Sequence, residues 1–262
     1  MIDAALVAII RSELLKQRRG LARLLVWGAG LFVPAILLLL RLRRPSAIPA
    51  LYRDEAFWDR LWNQAWDPMA HMFYPLAVIV VTSLVTQIEY RDNGWKQLHA
   101  APVRLGAIYL AKLLVALALV GQIMIIFHVG LVAVGVLPRL VVSGVPLPPV
   151  PLPLGEFTRR HLVLFFDLLP IVGLQYVLGL LCKNVLLPIG IGGALWTASV
   201  AALGWSSNYL LLYNYPAINY SLWTGNRVGR GAPVAVSYLA GGAFVAIALG
   251  GYVAYRAKAD KG

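Results

Sequence analysis

The longest apolar run of the chain is residues 106–136, GAIYLAKLLVALALVGQIMIIFHVGLVAVGV. It holds a single charged residue, Lys112, in a run longer than the roughly 20 apolar residues that cross a hydrocarbon core of about 30 Å. Such a segment predicts a transmembrane helix that tilts or extends beyond the bilayer. The chain therefore needs a membrane as its solvent.

Five further apolar runs surround this segment, at residues 24–40, 69–88, 161–182, 185–204 and 234–255. The composition agrees, because 60% hydrophobic and 13% charged residues with a mean hydropathy of +0.74 exceed what a water-soluble domain can bury. The sequence predicts an all-α polytopic membrane protein, with six transmembrane helices in one domain over residues 1–262.

Two connections between the runs are informative. Only Lys183 and Asn184 separate the fourth and fifth runs, which predicts a tight hairpin rather than one long helix. Residues 146–153, PLPPVPLP, follow the third run. Five prolines exclude a helix there and predict an extended polyproline segment in the outer loop.

The orientation follows from Lys and Arg in short loops, which favour the cytoplasm. With the N-terminus inside, 13 of the 23 basic residues fall on the cytoplasmic side, whereas Arg41, Arg43 and Arg44 fall outside. The first segment usually dominates, and five basic residues precede its span. We expect a plasma or inner membrane protein with both termini in the cytoplasm. The net charge of +12 suits anionic lipid, and no nucleic-acid-binding module is recognisable.

Residues 1–20 predict a helix that lies on the membrane surface. Apolar positions recur at helical spacing and a mostly basic set forms the other side: Ile2, Leu6, Ile9, Ile10 and Leu14 against Arg11, Glu13, Lys16, Gln17 and Arg18. A cleaved signal peptide is the alternative. The long apolar stretch and the arginines that follow it disfavour cleavage.

Motifs for catalysis and metal binding are missing from the sequence. It has no GxSxG, HExxH or P-loop pattern, and Cys182 is its only cysteine. Among four scattered histidines, His128 alone lies well inside a span. A satisfied core or pore-facing histidine competes there with a ligand or proton relay. The chain is therefore not expected to be an enzyme, and any ATP must bind to another chain.

Asp167 and two tyrosines are candidates for a substrate pathway, together with His128. Asp167 lies about 9 Å into the fourth span, so its carboxylate should face the bundle. A structural partner, such as Arg159, Arg160 or a neighbouring helix, competes with a cationic or peptide substrate. Tyr209 and Tyr213 belong to the predicted outer loop 205–233, whose six aromatic rings suit an interfacial belt with a minority facing substrate.

Residues 89–104, EYRDNGWKQLHAAPVR, form the most informative polar insert. As a short helix on the cytoplasmic face they would present Trp95 and Leu98 as knobs for a partner's groove. The basic residues would form the rim, namely Arg91, Lys96 and Arg104. An ordinary solvated loop is the alternative, because aromatic and basic residues also anchor helices at the interface.

This insert resembles the segment after the second span of ABC-2 type ABC transporter permeases. The resemblance is carried by Glu89, Gly94, Leu98, Pro102 and Arg104, followed by Lys112. Residues 12–16, SELLK, resemble the elbow-helix segment of the same family. The compact chain is similar in size to permeases of bacteriocin or lantibiotic immunity exporters.

The resemblance implies an export function that depends on other subunits. Residues 89–104 would act as a coupling helix, with contacts from Glu89, Arg91, Gly94, Trp95, Leu98, Pro102 and Arg104. ATP and Mg would bind to separate ABC ATPase subunits, and this chain would hold no cofactor. A second copy or a homologous permease would complete the pathway for a hydrophobic peptide, lipid or drug-like molecule.

Two other functional classes remain open from the residues alone. An ion-coupled secondary transporter needs intramembrane ionisable clusters or broken helices in inverted repeats, which are scarce here. A membrane enzyme or assembly scaffold would need no ATPase, but the sequence offers no catalytic set. Dependence on a separate ATPase discriminates the exporter from both.

Overall fold

The computed structural model describes residues 4–17, 20–91, 104–225 and 235–259. Over these residues the fold is all-α. The helices are α1 (Ala4–Gln17), α2 (Leu21–Leu42), α3 (Ile48–Tyr52), α4 (Phe57–Pro68), α5 (Tyr74–Arg91), α6 (Leu105–Val141), α7 (Leu154–Leu181), α8 (Leu186–Ala201), α9 (Tyr215–Trp223) and α10 (Val236–Ala259). The prediction of an all-α polytopic membrane protein is confirmed.

Within the described residues, five segments are long and apolar enough to cross a membrane: Leu21–Leu42, Phe57–Ile88, Leu105–Val141, Leu154–Leu181 and Val236–Ala259. The remaining predicted span, 185–204, contains α8, which has only 16 residues. At about 1.5 Å per residue, α8 is shorter than the hydrocarbon core of a typical bilayer. The fifth predicted span is therefore not one continuous helix of spanning length.

Helix α4 begins the second spanning segment well before the predicted start at residue 69. Large apolar residues at i, i+4 spacing point into the core, including the pairs Phe57 and Leu61, and Trp62 and Trp66. Asp59 and Arg60 lie on the exposed face. Pro68 ends α4, and one turn of π-helix (Met69–Phe73) connects it to α5.

Helix α7 also begins earlier than predicted, at Leu154 instead of residue 161. Pro153 immediately precedes the first residue of α7. A proline in the interior of a helix breaks it, so α7 cannot extend further toward the N-terminus. Glu156 in the first turn pairs with Arg159 at 2.8 Å and with Arg160 at 2.7 Å. These arginines are therefore occupied on their own helix.

The core forms where long helices pack closely. α2 packs along α6, and α7 packs against α5 and α10. Gly30 permits the first contact, since a Cβ there would lie 2.7 Å from Ile126 Cγ2. The buried side of α4 fills the space between these helices with Trp62 and Trp66, both at most 1% exposed.

The connections follow the sequence pattern. α7 and α8 are separate helices, with Cys182 as the C-cap of α7 and Val185 as the N-cap of α8. Residues 142–153 contain no helix and run past the first turn of α4, where Trp58 Nε1 donates to Val150 O at 3.0 Å. The prolines thus leave an extended segment.

Helix α1 differs from its predicted amphipathic arrangement. Glu13 and Gln17, which the pattern assigns to the polar outer side, are 1% and 2% exposed and face the bundle. Leu14 is exposed, as a residue that contacts lipid would be. The inward position of Glu13 has a physical cause, because its carboxylate pairs with buried Lys112 of α6.

Candidate functional site

The predicted coupling residues lie mostly outside the described residues. Gly94, Trp95, Leu98 and Pro102 fall there, and of Glu89 and Arg91 only the backbone is described, at the end of α5. Arg104 is the exposed N-cap of α6. Its carbonyl accepts hydrogen bonds from Ala107 N at 2.9 Å and Ile108 N at 3.3 Å. The structure thus describes the two helices that flank the segment, and we name this part of the molecule the coupling end.

At the coupling end, α5 is attached to the C-terminus of α7. Gln87 Nε2 donates to Gly179 O at 3.2 Å and to Cys182 O at 2.9 Å, and the Tyr90 hydroxyl donates to Leu180 O. The last four carbonyls of a helix lack partners within the helix. Side chains of α5 satisfy these carbonyls, which fixes the end of α5 to the end of α7.

Lys258 of α10 joins the same contact. Its ammonium donates to Leu180 O at 2.9 Å, to Leu181 O at 3.1 Å and to the Tyr90 hydroxyl. A cation at a helix C-terminus is also favoured by the helix dipole. Burial raises the pKa of Tyr90, so its hydroxyl stays neutral at physiological pH. We call the side chains of Gln87, Tyr90 and Lys258 the α7 clasp.

A buried ion pair attaches α1 to α6 near the same end. Lys112 Nζ lies 2.7 Å from Glu13 Oε2, and these side chains are 1% and 2% exposed. Lys16 approaches the other Glu13 oxygen at 2.8 Å. A buried charge is costly without a partner, so the pair fixes the position of α1 on the bundle.

Tyrosines complete the connections between α6, α7 and α10. The Tyr176 hydroxyl donates to Tyr109 O at 2.6 Å, and the Tyr109 hydroxyl donates to Ala248 O at 2.8 Å. Their rings pack at a centroid distance of 5.1 Å. With the α7 clasp and the Glu13–Lys112 pair, specific polar contacts link α1, α5, α6, α7 and α10 at the coupling end.

Asp167 is fully buried near the midpoint of α7, deeper than its predicted position because the helix starts at Leu154. Asn219 Nδ2 donates to its Oδ2 at 2.6 Å, and Ser237 Oγ donates to its Oδ1 at 2.9 Å. The partners come from α9 and α10. Arg159 and Arg160 are not among them, because both pair with Glu156.

Tyr213 contacts α7 about two turns C-terminal to Asp167. It accepts a hydrogen bond from Gln175 Nε2 at 2.7 Å, and Ser83 Oγ lies 3.5 Å from Gln175 Oε1. Burial raises the pKa of Tyr213 to about 12, so the hydroxyl remains neutral. Asp167 and Gln175 lie eight residues apart and share one face of α7. Asp167 and Tyr213 therefore belong to one interface between α7 and the segment 208–223.

The predicted loop 205–233 is only partly a loop. Within its described part, Tyr213, Tyr215 and Tyr220 are each 4% exposed, and the last two belong to α9. An interfacial belt does not describe these three rings, which pack inside the protein. Trp205 is 51% exposed and suits a belt, whereas Tyr209 and Trp223 are half-buried.

His128 lies apart from Asp167 and pairs with His161. Their Nδ1 atoms are 3.2 Å apart, and His161 Nδ1 also lies 2.7 Å from Phe157 O. The carbonyl can only accept, so His161 Nδ1 carries the proton. The two rings line a pocket of about 310 Å³ between α6 and α7. No group of three His, Cys, Asp or Glu residues in the described ranges is placed to hold a metal ion.

Several of these groups could not be identified from the sequence. Four of them contact predicted site residues that lie far from them in the chain: His161, Gln175, Asn219 and Ser237. Gln175 had a local signal, since an amide in the middle of an apolar run needs a buried partner. Asn219 and Ser237 had no such signal, because Asn219 falls within the predicted outer loop and Ser237 at the start of the last predicted span, where polar residues are common.

The comparisons with known proteins agree with this architecture. The model of the ABC-2 family transporter protein matches residues 9–198, from within α1 to near the end of α8. No curated protein and no solved structure matches the chain. The match covers more than half of the chain. The protein therefore belongs to the ABC-2 transporter family, as a multi-pass transmembrane permease subunit of an ABC transporter.

Proposed function

We propose that the chain is the permease of an ATP-driven exporter, with two copies forming the translocation pathway and residues 89–104 docking onto separate ATPase subunits. One chain that shows five candidate spans and a short apolar helix in its described part is small for a complete transporter. A symmetric dimer supplies the second half, or a homologous permease replaces one copy. ATP and Mg bind to the ATPase subunits.

The observation that carries this proposal is the α7 clasp. It joins the helix that leads into residues 89–104 to the ends of α7 and α10. A partner that pulls on this segment would displace α5, and the clasp would transmit that displacement to α7 and α10. Helices that move together as one body can alternate between an inward-open and an outward-open arrangement.

The interface between α7 and the segment 208–223 is our candidate for the moving wall of the pathway. It contains Asp167, which accepts a hydrogen bond from the Asn219 amide, and Tyr213, which accepts one from the Gln175 amide. Hydrogen bonds between side chains can be exchanged for bonds to a substrate without leaving the groups unsatisfied. We expect a hydrophobic peptide, a lipid or a drug-like molecule as the substrate, as in bacteriocin immunity exporters.

The test is affinity purification of the tagged chain from its native membrane, followed by an ATPase assay. We expect a P-loop ATPase to accompany the wild type and to be lost from a Gly94→Pro, Leu98→Asp double variant. Leu147→Asp is the matched control, since Leu147 is exposed in the extended segment far from the coupling end. Absence of an ATPase from the wild-type preparation would favour an ion-coupled transporter or a scaffold instead.

A further inference from the structure

The arginines at the end of α2 have no role in the proposed coupling. Arg41 belongs to the last turn of α2, and Arg43 and Arg44 follow it directly. In the expected orientation they lie outside the cell, where basic residues are disfavoured in short loops. A bound anion on that side would offset the accumulation of positive charge.

An open pocket of about 590 Å³ lies between the end of α2 and the helices α3 and α4. Its lining includes Arg41, Arg44 and Arg60, with Asp54 as its acidic residue. Arg43 does not line it. Three guanidinium groups against one carboxylate leave the pocket with an excess of positive charge.

The positions of Arg41 and Arg60 are determined by the fold. Arg60 Nη1 pairs with Asp54 Oδ2 at 2.7 Å, which uses the acidic residue. Arg41 Nη1 donates to Val134 O at 3.2 Å, and its guanidinium lies 5.2 Å from the centre of the Phe57 ring. Arg44 has no carboxylate partner within the described ranges. Arg41 is thus oriented and Arg44 is available for an anion.

The other side of the pocket is apolar. Leu37 and Leu40, from the last two turns of α2, contribute to its lining. Leu40 is 56% exposed and continues the exposed apolar face of a candidate membrane span. A small inorganic anion would leave this surface unused. A molecule with an anionic head and an apolar tail would use both sides.

We propose that this pocket binds an anionic phospholipid, with its phosphate against Arg41 and Arg44 and its acyl chains along Leu37 and Leu40. Guanidinium groups bind phosphate oxygens through paired N–H donors, and arginine is suited to this geometry. The bound lipid would hold α2 against α3 and α4. The proposal does not depend on the exporter function, since it concerns the purified permease alone.

The test is native mass spectrometry of the permease released from nanodiscs that contain phosphatidylcholine and phosphatidylglycerol in equal amounts. We expect phosphatidylglycerol to be retained in preference to phosphatidylcholine. Arg44→Gln should lower this retention about tenfold, because it removes one charge-assisted contact. Arg43→Gln is the matched control and should retain the wild-type amount. Arg41 is left intact, since its contact with Val134 O supports the fold.

Three results would overturn the proposal. One is equal retention of the two lipids by the wild type, and another is equal behaviour of Arg44→Gln and Arg43→Gln. The third is displacement of the lipid by inorganic phosphate added to the released protein, which would identify the site as one for a free anion. Retained phosphatidylglycerol that resists added phosphate and depends on Arg44 supports it.

Discussion

At the scale of single residues, Lys112 is the clearest case of a buried charge that a partner on another helix stabilises. It lies in the longest apolar run of the chain, where an isolated ammonium would be unfavourable. The Glu13 carboxylate at 2.7 Å removes that difficulty and also positions α1. Breaking the pair leaves one charge buried, whereas replacing both partners leaves none.

We expect Lys112→Met to lower the free energy of unfolding by about 3–5 kcal/mol, because Glu13 would lose its buried partner. The double variant Glu13→Leu, Lys112→Met should recover most of that loss. Thermal unfolding in detergent, followed by circular dichroism, measures both. Lys16→Met is the control and should cost about 1 kcal/mol or less, since Lys16 is a third exposed. Equal stability of the single and double variants would contradict the ion-pair account.

Gly135 gives a second prediction at this scale. A Cβ at this position would lie 2.3 Å from Trp58 Cζ3, so Gly135→Ala forces the indole to move. We expect a loss of about 1–3 kcal/mol from overpacking. Gly193→Ala is the matched helical control, since nothing lies within 4 Å of its Cβ. It should be neutral or stabilise α8 by up to about 1 kcal/mol. The same thermal unfolding measurement decides, and a neutral Gly135→Ala would show that the α4–α6 contact is loose.

At the scale of secondary-structure elements, the α7 clasp makes a prediction about coupling. Lys258→Met removes the cation from the carbonyls of Leu180 and Leu181, a contact worth up to about 2 kcal/mol. We expect the ATPase to remain bound while substrate-dependent ATP hydrolysis falls, because α10 no longer follows α5. ATPase assays of the reconstituted complex measure this effect.

Arg256→Met is the control for that experiment. Arg256 lies in the same last turn of α10 but is exposed. It should leave substrate-dependent hydrolysis unchanged. Loss of the bound ATPase in Lys258→Met would mean that the lysine supports docking instead of transmission, against our proposal.

Some of the helices could be predicted from the sequence and others could not. Apolar runs predicted the long helices correctly, because burial in lipid requires them. α4 was missed, since its exposed polar residues interrupt the run, and only its i, i+4 aromatic spacing marks it. The predicted fifth span was too long, because Ala202 and Leu203 are apolar yet bond back to α8 carbonyls in turns that end the helix.

The site was predictable only in part for a related reason. Asp167 stood out as a carboxylate in an apolar run, and its burial follows from that. Its partners did not stand out, because Asn219 and Ser237 reach it from 52 and 70 residues away in the chain. The α7 clasp was likewise hidden, since Gln87 and Lys258 act on helix carbonyls that carry no sequence signature.

At the scale of the whole molecule, we expect two copies of the permease per complex. In the apolar 18-residue stretches of α2 and α10, 22% and 17% of the residues are buried, compared with 56–61% in the other candidate spans. These two helices therefore lie at the periphery and are free to contact lipid or another chain. Native mass spectrometry of the affinity-purified complex should give two permease copies or one copy with a homologous permease. A lone permease copy with its ATPase would contradict the dimer.

The central claim is that residues 89–104 contact a separate ATPase. The most direct test places a photo-crosslinking amino acid at position 95. The control position is Trp205, which is exposed and follows the C-terminus of α8. Irradiation of native membranes, followed by mass spectrometry of the adducts, identifies the neighbours of each position. We predict an adduct with a P-loop ATPase from position 95 and none from position 205. No ATPase adduct from position 95, or the same adduct from both positions, would contradict it.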